Sequence, residues 1–262
     1  MIVILTDFGA DSIYTGLMKG VILAINPAAK ITDLTNSIGF GNIRQAAFIL
    51  KNTYRYFPVG SIFLCVVDPG VGSSRKAIAL KNNDYIFVGP DNGLFSYLPG
   101  LESEFEALVL NNSSFHLINK SNTFHGRDIF APVAAHLSIG EMFGNLGSKI
   151  DTGLLTRIGQ PKVIKEKNQI TGEIVYSDSY GNLITSIHRD DIPLKEIPLN
   201  NFEITIDDKK INSISKTFSN SESGELLTYQ GSMGYLEIAV NMGSAEGLFK
   251  DTSKLIVRCV WQ

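Results

Sequence analysis

The sequence predicts an α/β N-terminal domain followed by an all-β C-terminal barrel domain, and three observations carry this prediction. Short apolar segments alternate with helix-like segments in the first half of the chain. Helical periodicity nearly ends close to residue 155, and strand-like segments then recur about every ten residues. Alternating strands and helices are typical of a parallel sheet covered by helices. We therefore place the first domain at 1–155, a linker at 156–168 and the second domain at 169–262.

The first domain begins with a β-α-β-α-β pattern. Its strand candidates are MIVILT, KITDLT and SIFLCVV, and its helices are predicted over residues 12–25 and over NIRQAAFILKNTYRYF, where Asn42 is the candidate N-cap. The first and third strands have no polar alternation, which indicates burial on both faces. KAIALK and YIFVG then form a strand pair, and a last helix begins near Asp128 with Pro132 in or near its first turn. This order predicts a largely parallel, Rossmann-like sheet flanked by helices.

The second domain has short strand candidates and almost no helical pattern. Gly159, Pro161 and a polar stretch indicate a linker before it. The strand candidates are TGEIVYS, NLITSIH, NFEITID, KKINSIS, ELLTYQG, GYLEIAV and KLIVRCV. Such spacing is typical of a small barrel or sandwich.

Charge and composition exclude several classes of partner. The formal net charge is −3 and no block of five like charges occurs, so no basic face favours nucleic acid or an anionic membrane. Cys65 and Cys259 each lie in an apolar run, which predicts buried thiols rather than a disulfide framework. The apolar start MIVIL follows no positive region and is too short for a membrane span. We expect a cytoplasmic protein.

Candidate site residues follow the first strand. Ligands bind beyond the carboxyl ends of the strands in an open parallel sheet, and the loop TDFGADS lies there. The carboxylate of Asp7 can accept two hydrogen bonds from a ribose diol, or it can cap the helix that starts near Ser12. A third interpretation is a metal site, in which Asp7, Asp11 and Asp33 converge.

Two further loops carry polar side chains, DPGVGSSR and TFHGRD. Asp68 ends the most apolar strand, and a tight glycine loop can bring Arg75 back to it, either for chemistry or as a structural ion pair. His125 supplies a group that titrates near neutrality, and Phe124 beside it supplies an aromatic face. HxxxH, HExxH and CxxC patterns are absent from the sequence, so we expect no transition-metal site.

Polar turns also punctuate the second domain. SDSYGNLIT places Asp178, Tyr180 and Asn182 around a glycine turn, and YQGSMGYLEIAVNMGSA places Ser232 and Tyr235 in a second one. Polar turns are ordinary in a β domain, so these residues alone do not define a site.

Taken together, seven segments resemble one family in order and spacing. They are TDFG, DLT, VVDPGVGSSR, VGPDNGL, TFHGRDIFAPVAAHL, DSYGNLIT and SMGYLEIAVN, and they extend nearly end to end, over 2–258. These segments are similar to those of the S-adenosylmethionine (SAM) hydroxide adenosyltransferases, or SAM hydrolases, relatives of fluorinating and chlorinating enzymes. The resemblance implies the same two-domain fold, no cofactor, and a homotrimer with sites between subunits. It also implies hydrolysis of the small-molecule substrate SAM to adenosine and L-methionine.

The resemblance also assigns roles to residues. It implies that Asp68, Arg75 and His125 are the catalytic trio. The implied substrate contacts are Asp7 for the ribose hydroxyls, Phe8 and Phe124 for the nucleoside pocket, Asp178 and Ser232 for the amino and carboxylate ends of methionine, Asn182 and the backbone near Met242 for adenine, and Tyr180 and Tyr235 beside them. One departure is Met233, which stands where the fluorinating enzymes carry an arginine.

The expected mechanism is attack of water on C5′ of SAM. Arg75 and His125 would hold the water, and Asp68 would orient Arg75. His125 acts either as a general base or, with its neighbours, only as a stabiliser of hydroxide. The competing functions are a halogenase, a metal-dependent nucleoside hydrolase and a non-catalytic adenosyl sensor. Halide is disfavoured because the Asp68 carboxylate lies where the halogenating relatives have a tyrosine.

Overall fold

The structure, a computed structural model, describes residues 1–218 and 221–262, which fall into two units, Met1–Gly159 and Gln160–Gln262. The boundary lies within the segment 156–168 that we interpreted as a linker. That segment also contains a strand, Val163–Glu166, which pairs with the next strand across a two-residue turn. The sequence pattern missed this strand because it has only four residues, three of them exposed, and lies in a stretch that is otherwise polar.

A seven-stranded mixed sheet forms the centre of the first unit. Its strands are β1 (Ile2–Thr6), β2 (Ile31–Thr35), β3 (Ile62–Val66), β4 (Ala77–Lys81), β5 (Ile86–Pro90), β6 (Glu106–Val109) and β7 (Ser148–Ile150). Their order is β2-β1-β3-β5-β4-β6-β7, and β2, β1, β3 and β5 are parallel neighbours. The antiparallel strands β6 and β7 were not predicted, because they are short and partly polar. The predicted α/β class is confirmed.

Helices cover both faces of this sheet. Helix α1 (Ile13–Ile25) begins at Ser12, whose side chain accepts a hydrogen bond from the backbone of Tyr14. Helix α2 (Ile43–Thr53) begins at Asn42, the predicted N-cap. Helix α3 (Ala131–Ser138) has a proline in its first turn, as predicted. A π-helical turn (Gly126–Phe130) precedes α3, and such turns occur frequently at functional sites.

The apolar strands explain how the sheet is buried on both faces. Ile2 and Ile4 of β1 pack in the cluster that contains residues of α1 and α3, whereas Val3 and Leu5 pack in the cluster that contains residues of α2. Successive side chains of a strand point to opposite faces, so a wholly apolar strand needs cover on both. Cys65 lies in the second cluster, and its predicted burial is confirmed, as is that of Cys259.

The second unit is a nearly closed antiparallel barrel. Its strands are β8 (Val163–Glu166), β9 (Gln169–Ser177), β10 (Leu183–His188), β11 (Phe202–Ile206), β12 (Lys209–Ile211), β13 (Leu226–Gln230), β14 (Tyr235–Val240) and β15 (Ile256–Trp261). Their order is β12-β11-β15-β9-β10-β14-β13, with β8 beside β9. A bridge between Ser215 and Tyr229 links the two ends of this order. The predicted all-β barrel is confirmed.

Within the described ranges, no helix combines the length and the apolar character that crossing a membrane requires.

Candidate active site

The structure brings Asp68, Arg75 and His125 together at one edge of the mixed sheet. Arg75 donates from Nε to Oδ1 of Asp68 at 3.0 Å and from Nη2 to Oδ2 of the same carboxylate. The Nη2 atom of Arg75 also lies 2.8 Å from Nδ1 of His125. Asp68 follows β3, and His125 immediately precedes the π-helical turn. The prediction that separate loops bring these three side chains together therefore agrees with the geometry.

The Asp68–Arg75 pair is buried and geometrically fixed. The side chains of Asp68 and Arg75 are 5% and 9% exposed, and the guanidinium carbon of Arg75 lies 5.3 Å from the ring centroid of Phe130. A bidentate carboxylate holds the guanidinium plane in one orientation. The remaining N–H of Nη2 is therefore directed at His125 without help from a ligand.

The contact between Arg75 and His125 determines the tautomer of the histidine. A guanidinium group only donates hydrogen bonds, so Nδ1 of His125 accepts and the ring proton of the neutral form lies on Nε2. Burial lowers the pKa of His125 from its ordinary value, and the positive charge of Arg75 lowers this pKa further. His125 is thus held in its neutral form, with an N–H donor at Nε2.

The loops that carry Arg75 and His125 pack against each other. Gly72 has a φ of +78°, and a Cβ at this position would lie 2.3 Å from the carbonyl oxygen of Asn122. Asp128 is fully buried, and its Oδ2 atom accepts a hydrogen bond of 2.7 Å from the backbone of Ser121 while Arg127 donates to Oδ1. Asp128 therefore fixes the segment before His125.

An aromatic cavity of about 340 Å³ adjoins the trio. The rings of Phe8, Tyr14 and Phe124 contact one another edge to face, with centroids 5.0–5.9 Å apart. The other lining residues are Asp7, Phe40, Val66, Asp68, Pro69, Val71, Thr123, His125 and Gly126. Flat aromatic walls beside carboxylates suit a nucleoside, whose base or sugar face is apolar and whose hydroxyls are polar.

Asp7 lies in this cavity and is not a helix cap. Its Oδ2 atom accepts a hydrogen bond of 2.8 Å from the backbone of Gly41, and Ser12 caps α1 instead. Burial raises the pKa of Asp7 above its ordinary value. Asp33 forms an ion pair with Lys19 at 2.7 Å. In the part of the chain that the structure describes, no group of three or more His, Cys, Asp or Glu residues could hold a metal ion.

A second cavity, of about 810 Å³, lies on the barrel unit. It includes five of the predicted substrate contacts, which are Asp178, Tyr180, Asn182, Ser232 and Met242. Oδ1 of Asp178 accepts hydrogen bonds from the backbones of Tyr180 and Asn182 at 2.8 and 2.9 Å. Its Oδ2 atom accepts from Nδ2 of Asn182 at 2.9 Å. The predicted glycine turn is therefore stabilised by its own carboxylate.

Tyr235 is the predicted contact that does not reach this cavity. Its ring is buried against His188, with centroids 5.0 Å apart, and the two residues are paired between β14 and β10. It is absent from the lining of both cavities. Its position beside the glycine turn in sequence gave no indication that the ring packs away from that turn.

Sequence reasoning missed Tyr176, Tyr229 and Glu237, which also line the barrel cavity. Tyr229 donates a hydrogen bond to Oε2 of Glu237. A signal was present in the sequence, because Glu237 is the single charged residue of the strand candidate GYLEIAV. A charge in the middle of a buried strand requires a partner or a function.

A paired Asp–Arg–His cluster beside an aromatic cavity, joined in one chain to a barrel with a polar cavity, defines a two-domain enzyme that acts on a small molecule. Comparison with known proteins identifies the type. The family model described as the SAM hydroxide adenosyltransferase N-terminal domain matches residues 2–147, and the C-terminal domain model matches residues 172–254.

Individual relatives agree with this match. The chain is 33% identical to an (R)-S-adenosyl-L-methionine hydrolase of Salinispora arenicola, over 94% of this chain and 92% of the relative. It is 34% identical to the protein of that name from Thermus thermophilus, over 92% of each chain. A fluorinase of Actinopolyspora mzabensis is 24% identical over 93% of this chain and 91% of its own. A crystal structure of an uncharacterized conserved protein from Thermotoga maritima has a TM-score of 0.90 and 36% identity, covering 99% of this chain and all of the other.

The chain belongs to the SAM hydroxide adenosyltransferase family.

Proposed function

We propose that this protein hydrolyses S-adenosyl-L-methionine to adenosine and L-methionine. The observation that carries this proposal is the buried contact of Arg75 with both Asp68 and His125 beside the aromatic cavity. The family match and the names of the relatives support the substrate. In this proposal Asp68, Arg75 and His125 form the catalytic site, and no cofactor takes part.

The difficult requirement of this reaction is a nucleophile, because the leaving group is already good. The sulfonium already activates C5′, since the thioether that departs is neutral. Water is a weak nucleophile, so the site must hold one molecule in line with the C5′–S bond and stabilise the hydroxide that forms when this molecule loses a proton to solvent. Two donors suit this purpose, the positively charged guanidinium of Arg75 and the Nε2–H of neutral His125. Asp68 keeps the guanidinium in place.

His125 acts as a donor in this mechanism rather than as a general base. Its Nδ1 atom is occupied by Arg75, and Nε2 already carries the ring proton. Of the two roles that the sequence left open, the geometry therefore favours stabilisation of hydroxide. The proton of the attacking water leaves to solvent.

The same site is unfavourable to halide. Asp68 lines the aromatic cavity together with His125, and by resemblance it stands where the halogenating relatives have a tyrosine. A halogenase is the less favoured alternative, because the chain is 33% identical to a SAM hydrolase and only 24% identical to a fluorinase. A sensor without activity is also less favoured, because binding alone does not require a buried Asp–Arg–His cluster.

Substrate recognition is assigned to both cavities. By resemblance to the family, Asp7, Phe8 and Phe124 are assigned to the ribose and the nucleoside face, and Asp178, Tyr180, Asn182, Ser232 and Met242 to the methionine and adenine ends; the first set lines the aromatic cavity and the second lines the barrel cavity. We include a homotrimer in the proposal. Light scattering of the purified protein is expected to give three times the chain mass of 28.7 kDa, and a monomer would contradict this part.

One experiment separates the candidate functions. The purified protein is incubated with SAM in ¹⁸O-water, with and without a chelator and with and without high chloride, and the products are identified by mass. Adenosine labelled at the 5′-oxygen is expected in every condition. 5′-Chloro-5′-deoxyadenosine would indicate a halogenase, chelator-sensitive release of adenine a metal-dependent nucleoside hydrolase, and stoichiometric binding without products a sensor.

A further inference from the structure

The barrel cavity has an unusual charge composition. The described residues that line it include two carboxylates, Asp178 and Glu237, and no lysine, arginine or histidine. The remaining polar groups are the tyrosine and serine hydroxyls and the amide of Asn182. Ser232 and Met233 occupy the turn before β14 and supply a hydroxyl and a thioether. Nothing in this lining offers a positive charge to a ligand carboxylate.

Glu237 lies at the centre of the cavity floor. Strand pairing places Tyr176, Ile184, Glu237 and Tyr229 in one row across β9, β10, β14 and β13. The neighbouring residues Leu236 and Ile238 belong to the barrel core, so Glu237 points to the opposite face of β14, which is the cavity face. Glu237 is only 7% exposed.

One oxygen of this buried carboxylate lacks a partner. Tyr229 donates to Oε2, and among the residues that the structure describes none donates to Oε1. Burial raises the pKa of Glu237 above its ordinary value, and the negative charge of Asp178 adds to the shift. Glu237 lines the cavity, so a cation that enters the cavity can pair with this open oxygen. A ligand ammonium is attracted to this oxygen, whereas a ligand carboxylate is repelled by it.

We infer that Glu237, together with Asp178, is a specificity-determining residue that makes the barrel cavity a site for the ammonium end of an adenosyl sulfonium substrate, while this cavity gives the substrate carboxylate no positively charged partner. The inference rests on the proposed function and extends its substrate class. The protein should also hydrolyse decarboxylated S-adenosylmethionine, the analogue that keeps the sulfonium and the ammonium but has no carboxylate.

Hydrolysis of the decarboxylated analogue balances in the same way as hydrolysis of SAM. Water forms the C5′–O bond, the C5′–S bond breaks, and sulfur keeps the bonding pair. The products are adenosine and 3-(methylthio)propylamine, and one proton is released to solvent. Neither oxidant nor reductant is needed.

The first test uses the wild-type protein alone. Initial rates of adenosine release are measured with SAM, with its decarboxylated analogue and with the deaminated analogue that keeps only the carboxylate. We expect kcat/KM for the decarboxylated analogue to be within about threefold of that for SAM, and kcat/KM for the deaminated analogue to be lower by about a hundredfold, the effect of losing hydrogen bonds to charged groups. A hundredfold loss with the decarboxylated analogue instead would overturn the inference while leaving SAM hydrolysis intact.

The second test assigns the selectivity to Glu237. Glu237→Gln keeps the shape and an acceptor for Tyr229 but removes the charge. We expect KM for SAM and for the decarboxylated analogue to rise about tenfold with kcat within about threefold, and the preference over the deaminated analogue to shrink by a similar factor. The matched control is Glu203→Gln on β11, a partly exposed glutamate paired with Lys210 outside the cavity lining, which should leave all three substrates unchanged.

The proposed SAM hydrolysis and the proposed charge preference of the barrel cavity can be contradicted independently. If the wild-type protein releases no adenosine from any of the three compounds, the proposed function is wrong. Calorimetric titration with the same compounds then still decides the charge preference, because tighter binding of the decarboxylated than of the deaminated analogue supports it and the reverse order contradicts it. Unchanged selectivity in a folded Glu237→Gln variant, checked by thermal melting, would remove Glu237 from the inference.

Discussion

The two candidate regions treat their charges in opposite ways. In the α/β unit, the carboxylate of Asp68 is neutralised by Arg75, and the cluster is complete without a ligand. In the barrel cavity, Asp178 and Glu237 are held by hydrogen bonds alone, without a described cation in the lining. The first arrangement is preorganised and suits a rate-determining step. The second leaves electrostatic energy unsatisfied until a cation binds, which suits recognition.

This difference predicts how variants divide between kcat and KM. Changes in the trio should lower kcat, because the trio forms and aligns the hydroxide that attacks C5′. Changes in the barrel cavity should raise KM, because the ammonium of the substrate does not take part in bond breaking.

The largest effect is expected for Arg75→Ala. It removes a donor to the developing hydroxide, the orientation of His125 and the partner of Asp68, so kcat should fall about a thousandfold with little change in KM. Steady-state release of adenosine measures both constants. The control is Arg157→Ala, which breaks an exposed ion pair with Glu102 and should leave kcat within about twofold. If Arg75→Ala raised KM and left kcat unchanged, the expected division of kcat and KM effects between the two regions would be contradicted.

Substitution of His125 distinguishes a donor from a base and should have the next largest effect. His125→Ala should lower kcat about a hundredfold. His125→Gln should recover about tenfold of that loss, because the glutamine amide can present an N–H near the position of Nε2. Equal losses in the two variants would support a general base.

A spectroscopic measurement tests the same contact. The pKa of His125 is lowered, so the neutral ring persists as pH falls past the ordinary histidine value, and protonation of Nδ1 breaks the contact with Arg75 only at lower pH. NMR titration of the ring should therefore show its midpoint below 6.5. A midpoint above this value would contradict the assigned environment.

A smaller effect is expected for Asp178→Asn in the barrel. The asparagine retains an acceptor for the glycine turn but loses the charge, so KM for SAM should rise about tenfold with kcat within about threefold. Asp190→Asn is the control, because the side chain of Asp190 is 81% exposed and lies outside this cavity. A fall of kcat without a change in KM would mean that the barrel takes part in the chemical step.

Much of the fold could be predicted because its local signals agree with one another. The apolar segments of β1 and β3, the cap Asn42, and the short strands of the barrel each follow directly from residue pattern. The strands β6, β7 and β8 could not, because they have only three or four residues each and most residues of β7 and β8 are exposed.

The candidate site divides in the same way. Asp68, Arg75 and His125 follow strand ends or begin a helical turn, and strand order alone indicates that such loops meet. Tyr235 and Glu237 depend instead on which face of β14 meets the cavity and how far along the strand the cavity extends. A period-2 pattern gives the face, but a strand of six buried residues hides it.

The close packing of Gly72 on Asn122 has a consequence for the engineering of this scaffold. A side chain at position 72 would collide with the backbone of the loop that precedes His125. The segment DPGVGSSR and the loop that runs from Asn122 into TFHGRD therefore constrain each other, since a change of backbone in either must be matched in the other. A graft of this water-activating apparatus onto another α/β protein should transfer both segments together.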